Sequence, residues 1–338
     1  MKPFLILSDI HFNSWNSFST IENHLNSRLK IQLEEVERAA ETLKKVNSNL
    51  IVLAGDLFHH RGSIHPTVFN PTIHLFDKLI KQGFEILAIP GNHDLSTLNS
   101  NEAANSAASL SKVGVKMVSN PEGQAFPEHN LVLVPWHENL QELEVSCRKH
   151  ANPDYDLIIH APLNDVFPNM PSHGLFADDV ANWGFRRVFV GHFHNHKNFN
   201  DKVFSIGALT HNSWSDVGSK AGFIIANDKT FKFIPTKAPL FVDITDENFD
   251  DAENLVKGNY VRCKIKIAKE SDVERLKTHF KELGALNVLI QQIKEETTTQ
   301  RGSSLKLKTT GELINDYVKQ KKYHNETATL CQTILGQI

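Results

Sequence analysis

Short clusters of potential metal ligands follow one another along the first two hundred residues, each placed where an apolar run stops. They are Asp9-x-His11 after Phe4-Leu5-Ile6-Leu7, Gly55-Asp56 after 50–54, Gly91-Asn92-His93-Asp94 after 84–89, His160 after Asp156-Leu157-Ile158-Ile159, and Gly191-His192-x-His194 after Val188-Phe189-Val190. A single Asp-x-His or His-x-His arises often by chance, and a lone histidine at a strand end is more often a hydrogen-bonded structural residue. A whole series in order is different. It requires a fold in which the C-terminal ends of several strands converge, as they do in an open α/β sheet.

The rest of the patterning agrees. Apolar runs at 4–8, 50–54, 84–89, 131–135, 156–159, 187–190, 203–206 and 221–226 predict strands. Residues 28–46, with Leu29, Leu33, Val36, Ala40 and Leu43 at helical spacing, and residues 67–82 predict helices that cross between the first three strands. The later strands are closer together, which predicts a second, more antiparallel sheet packed on the first. The expected architecture is α/β, a two-sheet β-sandwich flanked by helices.

Near Pro235 and Pro239 the pattern changes to strand, helix, strand over 240–244, 247–256, 259–267, 270–283 and 286–292. A small α+β domain is therefore expected over 240–293, after a first domain of 1–235. The polar stretch 294–304, rich in Thr, Gly and Ser, reads as a linker. Beyond it, 305–338 is a helical tail with an amphipathic pattern over 311–336. That pattern suits either a terminal helix docked on its own domain or one offered to a partner's groove.

Composition excludes several classes. At 338 residues with 40% apolar and 22% charged side chains, the chain has the make-up of a globular protein, and no apolar run approaches a membrane span. The four apolar residues before Ser8-Asp9 read as a buried strand rather than a signal peptide, so a cytoplasmic location is expected. Three cysteines, Cys147, Cys263 and Cys331, are too few and too scattered for a disulfide framework and are read as inert thiols. The net charge of −3 conceals a basic C-terminal stretch, 257–322, with 15 Lys/Arg against 8 Asp/Glu. That stretch is either a solvated face or a phosphate-contacting one.

Carboxylate, imidazole and amide donors without a thiolate suit Mn²⁺, Fe²⁺ or Zn²⁺ rather than a closed structural zinc site. The ligands are too many for one centre, and a carboxylate such as Asp56 can bridge two ions about 4 Å apart. Hydrolysis of a phosphate ester is the chemistry such a pair performs.

Taken in order, D-x-H, G-D, G-N-H-D, a single His and G-H-x-H resemble the calcineurin-like metallophosphoesterase superfamily over roughly 1–235. The resemblance implies one metal held by Asp9, His11, Asp56 and His194 and a second by Asp56, Asn92, His160 and His192. It makes His93 the general acid, with Asp94 orienting its ring. Gly55-Asp56-Leu57-Phe58-His59 is similar to the G-D-L-F-H of SbcD-type DNA-repair nucleases, a group that includes a subunit of the T-even phage recombination endonuclease. His59 then becomes a substrate-positioning histidine. The stretch from Ser205 to Asp216 is similar to the segment after G-H-x-H in those nucleases, with Ala208 where cellular members often have Ser.

This resemblance implies an Mn²⁺-dependent exonuclease and endonuclease acting on DNA, with Mg²⁺, Fe²⁺ or Zn²⁺ as other possible ions. It also implies a capping domain at 240–293, an SbcC-type ATPase partner bound through 305–338, and a homodimer within a heterotetramer. A phosphatase of the same superfamily and a catalytically inactive scaffold are the competing readings. His60 and His65 are either exposed loop residues or substrate contacts, and Trp214 is either core or a platform for a base.

Overall fold

The computed structural model describes residues 2–96, 105–168, 172–265, 270–291, 310–321 and 323–335. The expected linker 294–304 and the ends of the tail lie outside them. The chain divides into two compact units, Met1–Ile293 and Lys294–Ile338.

The first unit is built on two six-stranded sheets. Strands β1 (Phe4–Leu7), β2 (Leu50–Ala54), β3 (Glu85–Ile89) and β4 (Lys116–Met117) run parallel in that spatial order. The second sheet centres on β6 (Leu131–Val134), β7 (Asp156–His160), β8 (Arg187–Gly191) and β10 (Val203–Ser205), also parallel, with β5 (Gln124–Phe126) and β9 (Lys197–Asn198) antiparallel at its edges. Strands β11 (Gly222–Ala226) and β12 (Phe231–Pro235) return to the first sheet, β11 antiparallel to β1 and β12 antiparallel to β11 at the edge.

The second sheet, expected to be the more antiparallel of the two, is thus mostly parallel and no more antiparallel than the first. The closer spacing of the later strands suggested more antiparallel pairing, but the crossover helices α1 (Ser27–Lys44) and α2 (Pro66–Lys81) of the first sheet have a counterpart in α3 (Leu140–Arg148), which carries β6 over to β7. The run 221–226 also changes sheets, a step that periodicity does not reveal.

Strands buried on both faces need no alternation, and β1, β2, β6, β7 and β8 are buried at every position. Phe4, Ile6, Val52, Leu87 and Ile89 face Leu131, Leu133, Ile158, Phe189 and Phe204 across the sandwich. On the other side of the first sheet, Leu5, Leu7, Ile51 and Leu53 pack under Leu29, Val36, Leu43, Leu75 and Phe76 of α1 and α2. Val132, Leu157, Ile159 and Val188 do the same under Leu143, Cys147 and Trp183. Asn26 caps α1 by accepting from the Arg28 and Leu29 amides, and His65 caps α2 by accepting from the Thr67 amide.

Strands β13 (Phe241–Thr245), β14 (Tyr260–Lys264) and β15 (Asn287–Ile290) form a separate parallel sheet with a core of Ile244, Val256, Val261, Cys263 and Phe280. This module lies inside the first compact unit. Its seam with the larger body is aromatic. Arg28, reaching from the first turn of α1, holds its guanidinium over Trp15 and Phe241 and donates to the Asn212 carbonyl at 2.6 Å. Trp214 packs on Phe241, Phe18 and Arg262, so it is a seam residue rather than a free platform. Arg262 and Lys264 both pair with Asp243 at 2.6–2.7 Å, so one carboxylate offsets one of these two charges on the basic face expected there.

In the second unit, helices Thr310–Gln320 and Asn325–Leu335 replace the single amphipathic stretch read from the sequence. Among the described residues, no helix is long and apolar enough to cross a membrane.

Candidate metal centre

Register decides where the ligands meet. Pairing of Leu7 with Leu53, Ala54 with Ile89, and Gly191 with His160 brings the C-terminal ends of β1, β2, β3, β7 and β8 to one edge of the sandwich. The loops that leave these strands turn sharply. Asp9, His11 and Asp56 have φ near +50° and His192 has φ +108°, conformations that cost of order 1–3 kcal/mol each. Backbone bonds between neighbouring loops hold them there: the Asp9 amide donates to Gly55 O at 3.1 Å and the His11 amide to Asp56 O at 3.0 Å.

Two clusters result. In one, His11 Nε2 and His194 Nε2 stand 3.2 Å apart, with His194 Nε2 3.9 Å from Asp9 Oδ1. In the other, Asn92 Oδ1 lies 3.1 Å from His160 Nε2 and 2.9 Å from His192 Nδ1. Asp56 stands between them, its Oδ2 3.7 Å from His11 Nε2 and 3.4 Å from His160 Nε2. All seven ligand positions expected from the sequence therefore meet in one place.

The donor set fits divalent cations. Asp9 Oδ1 is buried without a hydrogen-bond partner, which is costly for a carboxylate oxygen unless something cationic meets it. His160 Nδ1 donates to Ala54 O at 2.8 Å and His194 Nδ1 bonds Asp216 Oδ1 at 2.7 Å, so each ring is fixed with Nε2 facing the cluster. Burial drives the His11 imidazole well below its ordinary pKa and that of His192 to about 3, so each ring is neutral and has one nitrogen lone pair to offer. Burial also acts to lower His160, but Asp56 beside it prevails and raises it to about 9. An ion would take the place of that proton between two oxygens.

His93 sits at the lip of the clusters. Its backbone amide donates to Asp56 Oδ1 at 2.8 Å and its Nδ1 to His59 O at 2.7 Å, so Nε2 alone is left to exchange a proton with a ligand. The expected partnership with Asp94 is not the one formed. The Asp94 carboxylate is fully buried and accepts the amides of Gly91, Leu57 and Phe58 at 2.9–3.1 Å, tying the loops after β2 and β3 together. Carboxylates three backbone amides deep serve the loop, not the imidazole next to them in sequence. His59 stacks on His93 with ring centres 5.8 Å apart and leans on Trp15 at 4.5 Å. Burial, with His60 and His93 beside it, lowers its pKa to about 4, so it presents a neutral ring.

Three contributors escaped the sequence reading. Asp216 orients His194, Trp136 lies 5.1 Å from the His192 ring, and Trp15 supports His59. None carries a local spacing signal, although Asp216 lies in the stretch that comes after G-H-x-H.

The chain is 28% identical over 169 residues to "Exonuclease subunit 1" of Enterobacteria phage T4, covering 48% of this chain and 49% of the phage protein. It is 22% identical over 237 residues to "Uncharacterized protein R555" of Acanthamoeba polyphaga mimivirus, covering 64% of this chain and 16% of that one. The chain thus spans about half the length of the first relative and a smaller part of the second. A solved structure of the Pseudomonas putida nuclease MPE covers 68% of this chain and 87% of its own, with a TM-score of 0.31 and 13% identity. The calcineurin-like phosphoesterase profile matches residues 2–241, the span that supplies every strand-end ligand described above, and the chain belongs to that family.

Proposed function

We propose that this chain is the nuclease subunit of an SbcCD-type DNA repair and recombination complex. It hydrolyses DNA phosphodiesters as an exonuclease and endonuclease with two divalent ions, Mn²⁺ being the first choice. The observation that carries the hydrolytic reading is the convergence of Asp9, His11, Asp56, Asn92, His160, His192 and His194 around a shared Asp56, with His93 Nε2 free beside them. DNA as substrate is favoured by G-D-L-F-H at 55–59 and by the similarity to a phage exonuclease subunit.

One site would be Asp9, His11, His194 and Asp56, the other Asp56, Asn92, His160 and His192. Bound there, the ions supply Lewis-acid polarisation of the phosphoryl oxygens and activation of water. The chain's own residues do the rest. Asp56 holds His93 in place through the backbone amide, and the His59 carbonyl fixes which His93 nitrogen is free. Acting as the doubly protonated ring, His93 gives its Nε2 proton to the departing sugar oxygen and is left neutral with Nδ1–H still on the His59 carbonyl, while the neutral His59 ring positions the substrate.

Changing His93 to Ala is expected to leave bound metal nearly unchanged and to lower hydrolysis by about 10²–10⁴-fold, the usual worth of a general acid. Metal analysis beside single-turnover kinetics checks this; equal loss of both would make His93 structural.

The wider assembly is proposed from the family resemblance: a homodimer within a heterotetramer, working in the cytoplasm with an SbcC-type ATPase. Leu313, Tyr317 and Leu330 are each more than half exposed on the two tail helices, apolar surface suited to a partner's groove. Deleting 305–338 should spare metal-dependent hydrolysis and abolish co-purification with the ATPase. Survival of that complex would place the interface elsewhere.

The primary test is hydrolysis of end-labelled single-stranded and duplex DNA by the purified chain with Mn²⁺, beside p-nitrophenyl phosphate. Cleavage of DNA establishes the nuclease. Brisk turnover of the monoester with inert DNA would make the chain a phosphatase, and no metal uptake a scaffold.

A further inference from the structure

A cavity of about 280 Å³ opens beside the metal centre, on the side of His59. Its lining begins one residue beyond two of the site histidines: Phe12 follows His11, and Phe58 and His60 flank His59. The same backbone pairing that shapes the centre fixes these walls, since the Phe12 amide donates to Leu57 O at 2.8 Å. Phe12 and Phe58 are fully buried in the core behind it, so the apolar floor, completed by Ile64 and Val68, is rigid.

The polar part of the lining has unused capacity. Asn13 is 7% exposed, and its only hydrogen bond in the described structure is from its backbone amide to Gln32 Oε1. Its carboxamide, one donor and one acceptor group, lines the cavity unpartnered. His60 stands exposed at the opening, its ring 5.0 Å from that of His59. An unpaired amide beside an apolar wall, with the His60 ring exposed at the opening, is a recognition set for a flat heteroaromatic ring with hydrogen-bonding edges. The cavity is near the lower end of ligand-site sizes, too small for a duplex and suited to one base.

We propose that this cavity takes one unpaired nucleobase of the nucleotide adjoining the scissile phosphate, lying against the Ile64 and Val68 wall beside the exposed His60 ring and read by Asn13. This rests on the phosphodiesterase reading above. It means that a duplex must surrender a base pair at the cut, whereas a single strand or a frayed end enters directly.

Thymidine 5′-(p-nitrophenyl phosphate), thymidine 3′-(p-nitrophenyl phosphate) and methyl p-nitrophenyl phosphate share a leaving group; the first two carry thymidine through its 5′ or 3′ oxygen, and the third has a methyl group in its place. With Mn²⁺, kcat/KM for at least one thymidine ester should exceed that for the methyl ester by about tenfold, the order expected from burying part of one base. Ile64→Trp, which fills the cavity from a loop, and Asn13→Ala, which removes the amide, should each bring that ratio towards one, mainly through KM. The proposal is overturned if the wild type shows no such preference, or if Asn13→Ala lowers all three esters together with the ratio intact. Turnover of none of the three would sink the phosphodiesterase reading itself, a result separate from loss of the preference alone.

Discussion

Asp56→Asn is expected to lower DNA hydrolysis by about 10²–10⁴-fold and to empty both metal positions together. The substitution keeps shape and replaces a charge with a dipole. Asp56 is buried, with imidazole nitrogens at 3.4 and 3.7 Å on its Oδ2 and the His93 amide at 2.8 Å on its Oδ1. Burial works against its ionisation, yet His160 and His11 more than offset this and hold its carboxyl well below the usual range. Removing one charge from a buried, charge-compensated cluster typically costs about 3–5 kcal/mol, and each 1.36 kcal/mol is a factor of ten in rate or affinity. Isothermal titration with Mn²⁺ and single-turnover hydrolysis read the two losses side by side. If one ion still binds with full affinity, Asp56 is not shared between the positions, and the two-metal proposal loses its central residue.

The second large effect lies far from the chemistry. Asp156, at the start of β7, is fully buried and accepts from Arg187 at 3.0 and 2.5 Å and from Arg186 at 2.9 Å. Arg187, 6% exposed, also donates to the Asn227 carbonyl, clamping β8 to the β11–β12 turn of the other sheet. Asp156→Ala strands a guanidinium in the sandwich. The expected loss is about 3–5 kcal/mol, read as a fall in the urea midpoint at unchanged slope. Asp154→Ala, on an exposed neighbour, should stay within about 0.5 kcal/mol of wild type. Similar midpoints for the two variants would mean that water already reaches the Arg187 end of the strand.

That pair illustrates what a one-dimensional reading lacks. Asp156 opens the expected strand 156–159 as its one polar residue, and nothing in Arg186-Arg187 says which carboxylate they meet about 30 residues away. Asp216 and His194 make the same point inside the metal centre, because a hydrogen bond across 22 residues leaves no periodic trace. Asp94 shows the opposite error. Adjacency to His93 suggested a chemical partnership, whereas the turn points its carboxylate inward to three backbone amides.

The strands and the residues that converge at their ends were legible from the start because both obey short-range rules. Uniformly apolar runs of four to six residues mark strands buried on two faces, and an abrupt Asp, Asn or His after each run marks its end. The small module was legible for the same reason, its strand-helix-strand alternation being a local pattern. The direction of the second sheet, the return of 222–226 to the first, and the cavity beside His59 were not. Each depends on which surfaces the packed sheets leave for a later segment, a choice settled by burial and hydrogen-bond closure over the whole chain. Residue types placed the chemistry at the strand ends; register and packing between the two sheets brought those ends to one point and left a space beside it.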